Sequence, residues 1–446
     1  MAPFCWMLDS KQNRKSIKTH NKQHIKREKM IKVLVNAYAC SPSMGSEPGM
    51  AWNWCVNLAK HCELFIVTEG EFRDKIEAIV QTLSQRNNMH FYYNPVPEKV
   101  RQMCWNQGDW RFYRYYKKWQ ISTANIAREI CQKEKIDILH QLNMIGFREP
   151  GYLWKVSQET GIPFVWGPIG GLKQFPTAYA NGSSIKMKFF VRLKNFLNKW
   201  QLKHDSRVDA AIKQASLLIS SIPDSYRAIK KYKNRESVII PETGAFVQDN
   251  LTSDNERFKK DNLTILWVGK FDFRKKLDIA LAALAQMTNI NWTLKIFGTG
   301  NKTQIANARN LSSSLGIENR VQWMGNCPNT QIVKEMQNAD IFLFTSVNED
   351  TSTVVQEAIS NGLPVLCFDT CGMSHIVTKD IGIKIPLTNP KQSVNDFANK
   401  IDYLYHHRDH LTLMSENCQK RAIELSWNNK AKKMVALYEE ILHGND

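Results

Sequence analysis

The stretch from Ile341 to Phe368 limits the fold more than any other. A short apolar strand, Ile341-Phe342-Leu343-Phe344, runs into a polar turn, and a helix begins close to Thr353. Asn361-Gly362 ends that helix, and a second apolar strand follows from Leu363 to Phe368. This is a β-α-β unit, which belongs in a parallel sheet with helices on both faces. Glu349 stands in the turn and Glu357 in the helix. In parallel sheets, ligands bind outside the carboxyl ends of the strands. The free N–H groups of a helix start favour a phosphate at the same place.

The same alternation runs through the chain. Strands are expected at 31–37, 64–67, 89–93, 136–140, 163–166, 217–220 and 237–240, with helices over 49–62 and 121–135. Residues 246–262 are polar and turn-rich. The pattern then restarts, with strands at 263–268, 292–296 and 321–323, helices over 277–287 and 302–315, and a last helix from about 428 to 443. It predicts an α/β fold of two doubly wound, Rossmann-like domains facing a cleft. The expected division is a basic disordered tail (1–29), a first domain (30–245), a linker (246–262), a second domain (263–423) and a closing helical segment (424–446). Met30 directly precedes the first strand, so translation beginning there is an equal reading of the tail.

Hydrophobic residues make up 43% of the chain and charged residues 23%, the balance of a soluble globular protein. No apolar run approaches the roughly 20 residues that span a bilayer. The first residues lack the continuous apolar segment of a secretory signal. Ten cysteines without paired spacing read as free thiols in a reducing compartment. Lys and Arg number 60 against 42 Asp and Glu, a net charge of +18. Part of it lies in the tail (Lys11, Arg14, Lys15, Lys18, Lys22, Lys26, Arg27, Lys29). A second cluster is Lys186, Lys188, Arg192, Lys194, Lys199, Lys203 and Arg207, opposed by Asp205 and interleaved with Phe189, Phe190, Val191, Leu193, Phe196, Leu197, Trp200 and Leu202. Such a field attracts an anionic membrane, nucleic acid or a phosphorylated substrate. The second cluster reads either as a surface for anionic lipid or as a helix whose apolar side packs inward.

Several constellations carry chemistry, each with a plainer reading beside it. Gly45 and Gly49 lie in a long loop before a helix start, where backbone can approach an anion; an ordinary connecting loop has the same spacing. His140, just past a strand, suits a sugar hydroxyl or a proton transfer, or is a hydrogen-bonded surface histidine. Trp166-Gly167-Pro168-Ile169-Gly170-Gly171 suggests backbone contact with a ligand or the partner domain, or a tight turn. Gly269 ends a strand, and Lys270, Arg274, Lys275 and Lys276 follow. Fixed cations there would neutralise a diphosphate; the plainer reading is a solvated basic loop. Gly298 and Gly325 end the next two strands and either wall a base or simply turn the chain. Glu349 and Glu357 read as an acid–base pair, although a helix dipole alone favours Glu357. With no acidic or histidine cluster, no metal is expected. Phosphate and polyol recognition together suit a nucleotide sugar.

Taken in order, these pieces resemble the retaining glycosyltransferases of family four, also called group 1, which have the two-domain GT-B fold. The resemblance covers about 31–442. It rests most on Glu349 to Glu357 followed by Ala358-Ile359-Ser360-Asn361-Gly362-Leu363-Pro364-Val365. Gly45-Ser46-Glu47-Pro48-Gly49 with Trp52-Asn53-Trp54, and the Trp166–Gly171 run, look like the branch that builds bacterial surface polysaccharides. Ser426-Trp427 and Tyr438 look like the helix that crosses back onto the first domain. The resemblance implies roles. Lys270 and Lys275 would hold the donor diphosphate, Glu357 the ribose hydroxyls, and Glu349 and His140 the transferred sugar. Gly45, Gly269, Gly298, Gly325, Thr351, Ser352 and Thr353 would line the donor, and Glu47, Trp166, Gly170 and Gly171 the acceptor side. Two departures stand out: Thr351-Ser352 replace a usual Phe-Gly, and Lys270 replaces arginine, which keeps the charge and loses the bidentate fork.

The implied activity is metal-independent transfer, with retention, from a nucleoside diphosphate sugar, expected to be UDP-linked, to a hydroxyl of a lipid-linked surface glycan. No cofactor beyond that co-substrate is expected. The implied partners are the nucleotide sugar, a glycan or lipid-linked acceptor and an anionic membrane surface, without nucleic acid. The implied location is cytoplasmic, at the inner membrane face. Two rival readings are a nucleotide-sugar epimerase on the same fold and a non-enzymatic nucleic-acid binder; the second is suggested only by the net charge.

Overall fold

The computed structural model describes residues 30–106, 109–180, 185–247 and 255–444. The basic tail (1–29) and the middle of the expected linker (248–254) lie outside the described residues.

Two parallel sheets organise the chain. The first contains β1 (Lys32–Ala37), β2 (Glu63–Thr68), β3 (Met89–Tyr93), β4 (Ile138–Asn143), β5 (Phe164–Ile169), β6 (Leu217–Ser220) and β7 (Val238–Ile239). Their order is β3-β2-β1-β4-β5-β6-β7. The second contains β8 (Leu263–Val268), β9 (Trp292–Phe297), β10 (Val321–Gly325), β11 (Ile341–Phe344), β12 (Val365–Phe368) and β13 (Gly382–Ile385), in the order β10-β9-β8-β11-β12-β13. β4, β5, β11 and β12 are buried at every position, as strands covered on both faces must be. In each sheet the strand order reverses once, beside β1 and β4 and beside β8 and β11. Crevices for ligands form at such switch points. The loops after β8 and β11 carry Lys270, Lys275 and Glu349, and the loop after β1 carries Gly45.

The last helix, Trp427–His443, packs on the first lobe. Trp427, Ala431, Met434 and Tyr438 share one core with Trp54 and Leu58 of the Ser46–Leu58 helix. Each large apolar side chain so covered contributes about 1.5–3 kcal/mol, so the chain end fastens the lobe it returns to.

Three expectations change in detail. The linker is not free throughout. Asn255–Lys259 forms a short 3-10 helix, Phe258 is buried in the second lobe's core, and Arg257 donates to the Gly362 carbonyl at 2.6 Å. β4 and β5 both run further than their apolar residues suggest, which moves His140 and Trp166 into strand interiors. The basic aromatic segment forms the Ile185–His204 helix, which packs only one of its two apolar stripes: Val191 and Leu202 are buried, whereas Phe189, Phe196 and Trp200 are exposed.

Candidate functional site

The loops after β8 and β11 are laced together. Val347 donates its amide to the Arg274 carbonyl at 2.9 Å, and Thr345 Oγ1 donates to the Lys275 carbonyl at 2.8 Å. This brings Lys275 Nζ to 2.7 Å from Glu349 Oε1, with Ser346 Oγ donating to the same oxygen at 2.9 Å. Arg274 pairs with Asp272 at 2.7 Å and Lys276 with Asp278 at 2.8 Å. Lys270 is exposed. The basic loop is therefore ordered by partners of opposite charge.

The Thr353–Ser360 helix begins with Ser352, whose side chain makes no capping hydrogen bond. Thr353 at its first turn is exposed. Thr353 and Glu357 line a cavity of about 490 Å³ with Gly45, Ser46 and Asn53 from the opposite lobe. Burial raises the Glu357 carboxyl above its ordinary range. Glu349 lines a different cavity, of about 470 Å³, with Arg274, Asp350 and Gly171. The two acids thus line different cavities, and no hydrogen bond between them is seen among the described residues.

The strand-end glycines do more for the backbone than for a base. Gly269 donates its amide to the Phe297 carbonyl at 2.9 Å, and Gly298 to the Gly325 carbonyl at 2.7 Å. Gly298 sits at φ +132°, and a Cβ there would lie 1.8 Å from the Gly269 carbonyl oxygen. No other residue fits. One of the amides expected to wall a base, that of Gly298, is therefore already bonded. The Thr351 amide is held by the Glu242 carboxylate of the opposite lobe.

Contacts between the lobes join Gly170 and Gly171 to residues that the sequence reading did not single out. Asp350 Oδ1 accepts from the Gly171 amide at 3.2 Å, and a Cβ on Gly170 would come within 3.0 Å of the same carboxylate. Gly170 and Gly171 thus lie against the partner lobe. Gln356 Nε2 donates across the lobes to Thr243 Oγ1 at 2.6 Å; within the first lobe, Lys430 Nζ of the returning helix donates to the carbonyls of Pro241 and Thr243. Burial pushes Glu242 up to about 8 and Glu47 up to about 7, with Asp350 adding to both. Burial lowers Lys430 to about 7. Asp350 was legible as the neighbour of Glu349. Glu242 and Lys430 carry no local signal, because only the fold brings them together.

Two expected site residues are structural. His140 lies inside β4, fully buried, with Nδ1 2.6 Å from the Tyr438 hydroxyl and Nε2 2.7 Å from the Gly167 carbonyl. Burial lowers it to about 4, so it is neutral, and both ring nitrogens are engaged. It ties the last helix to the first sheet and offers nothing to a sugar. Trp166 is buried in the first lobe's core beside Phe164 and Leu218. Gly45 remains at the helix start with open space around it, and Glu47 keeps one carboxylate oxygen buried without a partner.

Among the described residues, no group of three or more His, Cys, Asp or Glu side chains comes together, and no helix is long and apolar enough to cross a membrane.

Residues 249–421 match the family model described as glycosyl transferases group 1. A glycosyltransferase of Methanocaldococcus jannaschii is 26% identical over 182 residues, which is 40% of this chain and 45% of that protein. The lipopolysaccharide 1,6-galactosyltransferase of Salmonella typhimurium is 33% identical over 141 residues, 31% of this chain and 38% of that one. These matches thus span less than half of each relative. The structure of Anabaena HepE in complex with UDP superposes with a TM-score of 0.60 over 92% of this chain and all of that one, at 14% identity. With both sheets, the switch-point loops and the returning helix in place, residues 249–421 are similar to the group 1 glycosyltransferases and the chain has the two-domain GT-B fold.

Proposed function

We propose that the protein transfers a sugar, with retention at the anomeric carbon, from a UDP-sugar to a hydroxyl of a surface glycan. The observation that carries this reading is the helix start at Thr353. It opens on a cavity that also holds Glu357 and Gly45. An uncapped helix start suits a diphosphate and a carboxylate suits ribose hydroxyls. Lys275, reached from the neighbouring loop, stabilises the charge that builds on the leaving diphosphate; Lys270 adds a second cation. The bond from the anomeric carbon to the diphosphate oxygen breaks, the bond to the acceptor oxygen forms on the same face, and the acceptor proton passes to the leaving diphosphate. No protein nucleophile and no metal is assigned. Glu349, oriented by Lys275 and Ser346, contacts the transferred sugar.

The Ile185–His204 helix supports a position at an anionic membrane face. Its outward stripe of Phe189, Phe196 and Trp200 is 68%, 63% and 54% exposed, beside Lys188, Arg192 and Lys199. Each basic residue near such a surface contributes about 1 kcal/mol. Binding to phosphatidylglycerol vesicles that does not depend on anionic lipid content would contradict this placement.

The transfer reading is tested by proton NMR of the full-length protein with each nucleotide sugar that raises its melting temperature, water serving as acceptor. The first free sugar released should keep the donor's anomeric configuration. Release of the opposite anomer, or epimerised donor with no release, would replace the reading.

A further inference from the structure

The Ile185–His204 helix has a third face between its packed and outward stripes. Phe190, Lys194 and Leu197 line a groove of about 780 Å³ whose other wall includes Tyr113 and Lys117 of the Phe112–Lys133 helix. Phe190, Lys194, Asn198 and Arg148 also line the 470 Å³ cavity that holds Glu349 and Asp350. The groove therefore opens into the cleft at these four residues, with the exposed aromatic stripe of the same helix alongside it.

Neither cation at this junction is closed in an ion pair among the described residues, although Asp350 lines the same cavity as Lys194 and partly offsets its charge. Arg148 donates to the Asn198 side chain and lies 5.2 Å from the Phe147 ring. Among the described residues neither Arg148 nor Lys194 pairs with a carboxylate, and the nearby acids have other partners. Glu149 is 2.8 Å from Arg207, Asp224 is 3.3 Å from Lys173, and Asp350 accepts from the Gly171 amide. Burial lowers both cations, and Arg148 lowers Lys194 further. Two such cations at the inner end of an apolar groove fit a ligand that joins an anion to a hydrocarbon. A plain phospholipid surface accounts for the outward stripe, but not for a groove leading inward to paired cations.

We infer that this junction is an acceptor subsite for a phosphate or diphosphate carried on an apolar chain. Arg148 and Lys194 hold the anion, the chain lies in the groove, and the reacting hydroxyl reaches Glu349 and Asp350. The inference rests on the transfer reading above, whose acceptor class it names.

Calorimetric titration of the full-length protein tests it, with farnesyl diphosphate, farnesol and inorganic pyrophosphate as probes and UDP as a separate ligand. Farnesyl diphosphate should bind at least about tenfold more tightly than farnesol or pyrophosphate. Lys194→Ala should weaken it roughly tenfold, and Lys194→Arg should restore it. Saturating UDP should not displace it. Equal affinity for the three probes, an unaffected Lys194→Ala variant, displacement by UDP, or equal competition by phosphatidylglycerol vesicles would each overturn the subsite. UDP binding without farnesyl diphosphate binding would count against this subsite alone. The converse would count against the donor reading alone.

Discussion

Lys275→Ala separates catalysis from charge balance. The substitution removes the cation from a pair closed at 2.7 Å whose side chains are 16% and 21% exposed. Glu349 would keep only the Ser346 hydroxyl. Breaking a fully buried pair costs about 3–5 kcal/mol, and an exposed pair contributes under about 1 kcal/mol. This pair lies between those limits, so about 2 kcal/mol is expected. For a lobe of this size that lowers the melting temperature by about 4–8 °C. Losing one preorganised charge at the leaving group should cut turnover by roughly 10²–10³. The double variant Lys275→Ala/Glu349→Gln removes the stranded carboxylate. Its melting temperature should recover most of the loss, while its turnover should not. Differential scanning calorimetry and a UDP-release assay read the two effects. Wild-type turnover in the single variant, or recovered turnover in the double, would show that Lys275 only neutralises Glu349.

His140→Ala should behave as a structural lesion. It leaves the Tyr438 hydroxyl and the Gly167 carbonyl without their buried partner, at about 1–3 kcal/mol each. Thermal unfolding should shift down while UDP affinity stays near wild type; the opposite pattern would return His140 to the sugar. Glu47 gives a pH prediction. Burial raises its folded value from 4.5 to about 7, so the native state holds a proton that the unfolded chain loses above its lower value. Relative to Glu47→Gln, the wild type should lose stability as pH rises from about 4.5 to 7, with a constant difference above that. A constant difference across the whole range, in melting temperatures measured from pH 5 to 8, would refute it.

The fold was legible because its strands are apolar runs of four to six residues between polar turns. β3, β6 and β8 fall on their expected residues for that reason. The ends of β4 and β5 were not legible, because Gln141, Asn143 and Gly167 are residues that single-strand patterns treat as turn formers. Tertiary partners hold them: Gln141 Oε1 accepts from Asn36 at 2.9 Å, and Gly167 lies so close to Ile219 that a Cβ would come within 2.4 Å of that carbonyl oxygen. That misplacement is what put His140 and Trp166 at the mouth. The pairing of Lys275 with Glu349 was half legible. Each residue stood out as a candidate, but only the lacing of two loops brings them into contact. Glu242, Lys430 and Arg148 lie outside any motif, and their importance arises from burial that the fold alone creates.

The central claim is that the cavity at Thr353 and Glu357 holds a nucleoside diphosphate. Isothermal titration of the full-length protein with UDP tests this most directly, alongside Glu357→Gln. The account predicts one UDP per chain and roughly tenfold weaker binding in the variant, the loss expected for a charged hydrogen bond to the ribose. UDP that fails to bind, or that binds Glu357→Gln as tightly as wild type, would contradict it.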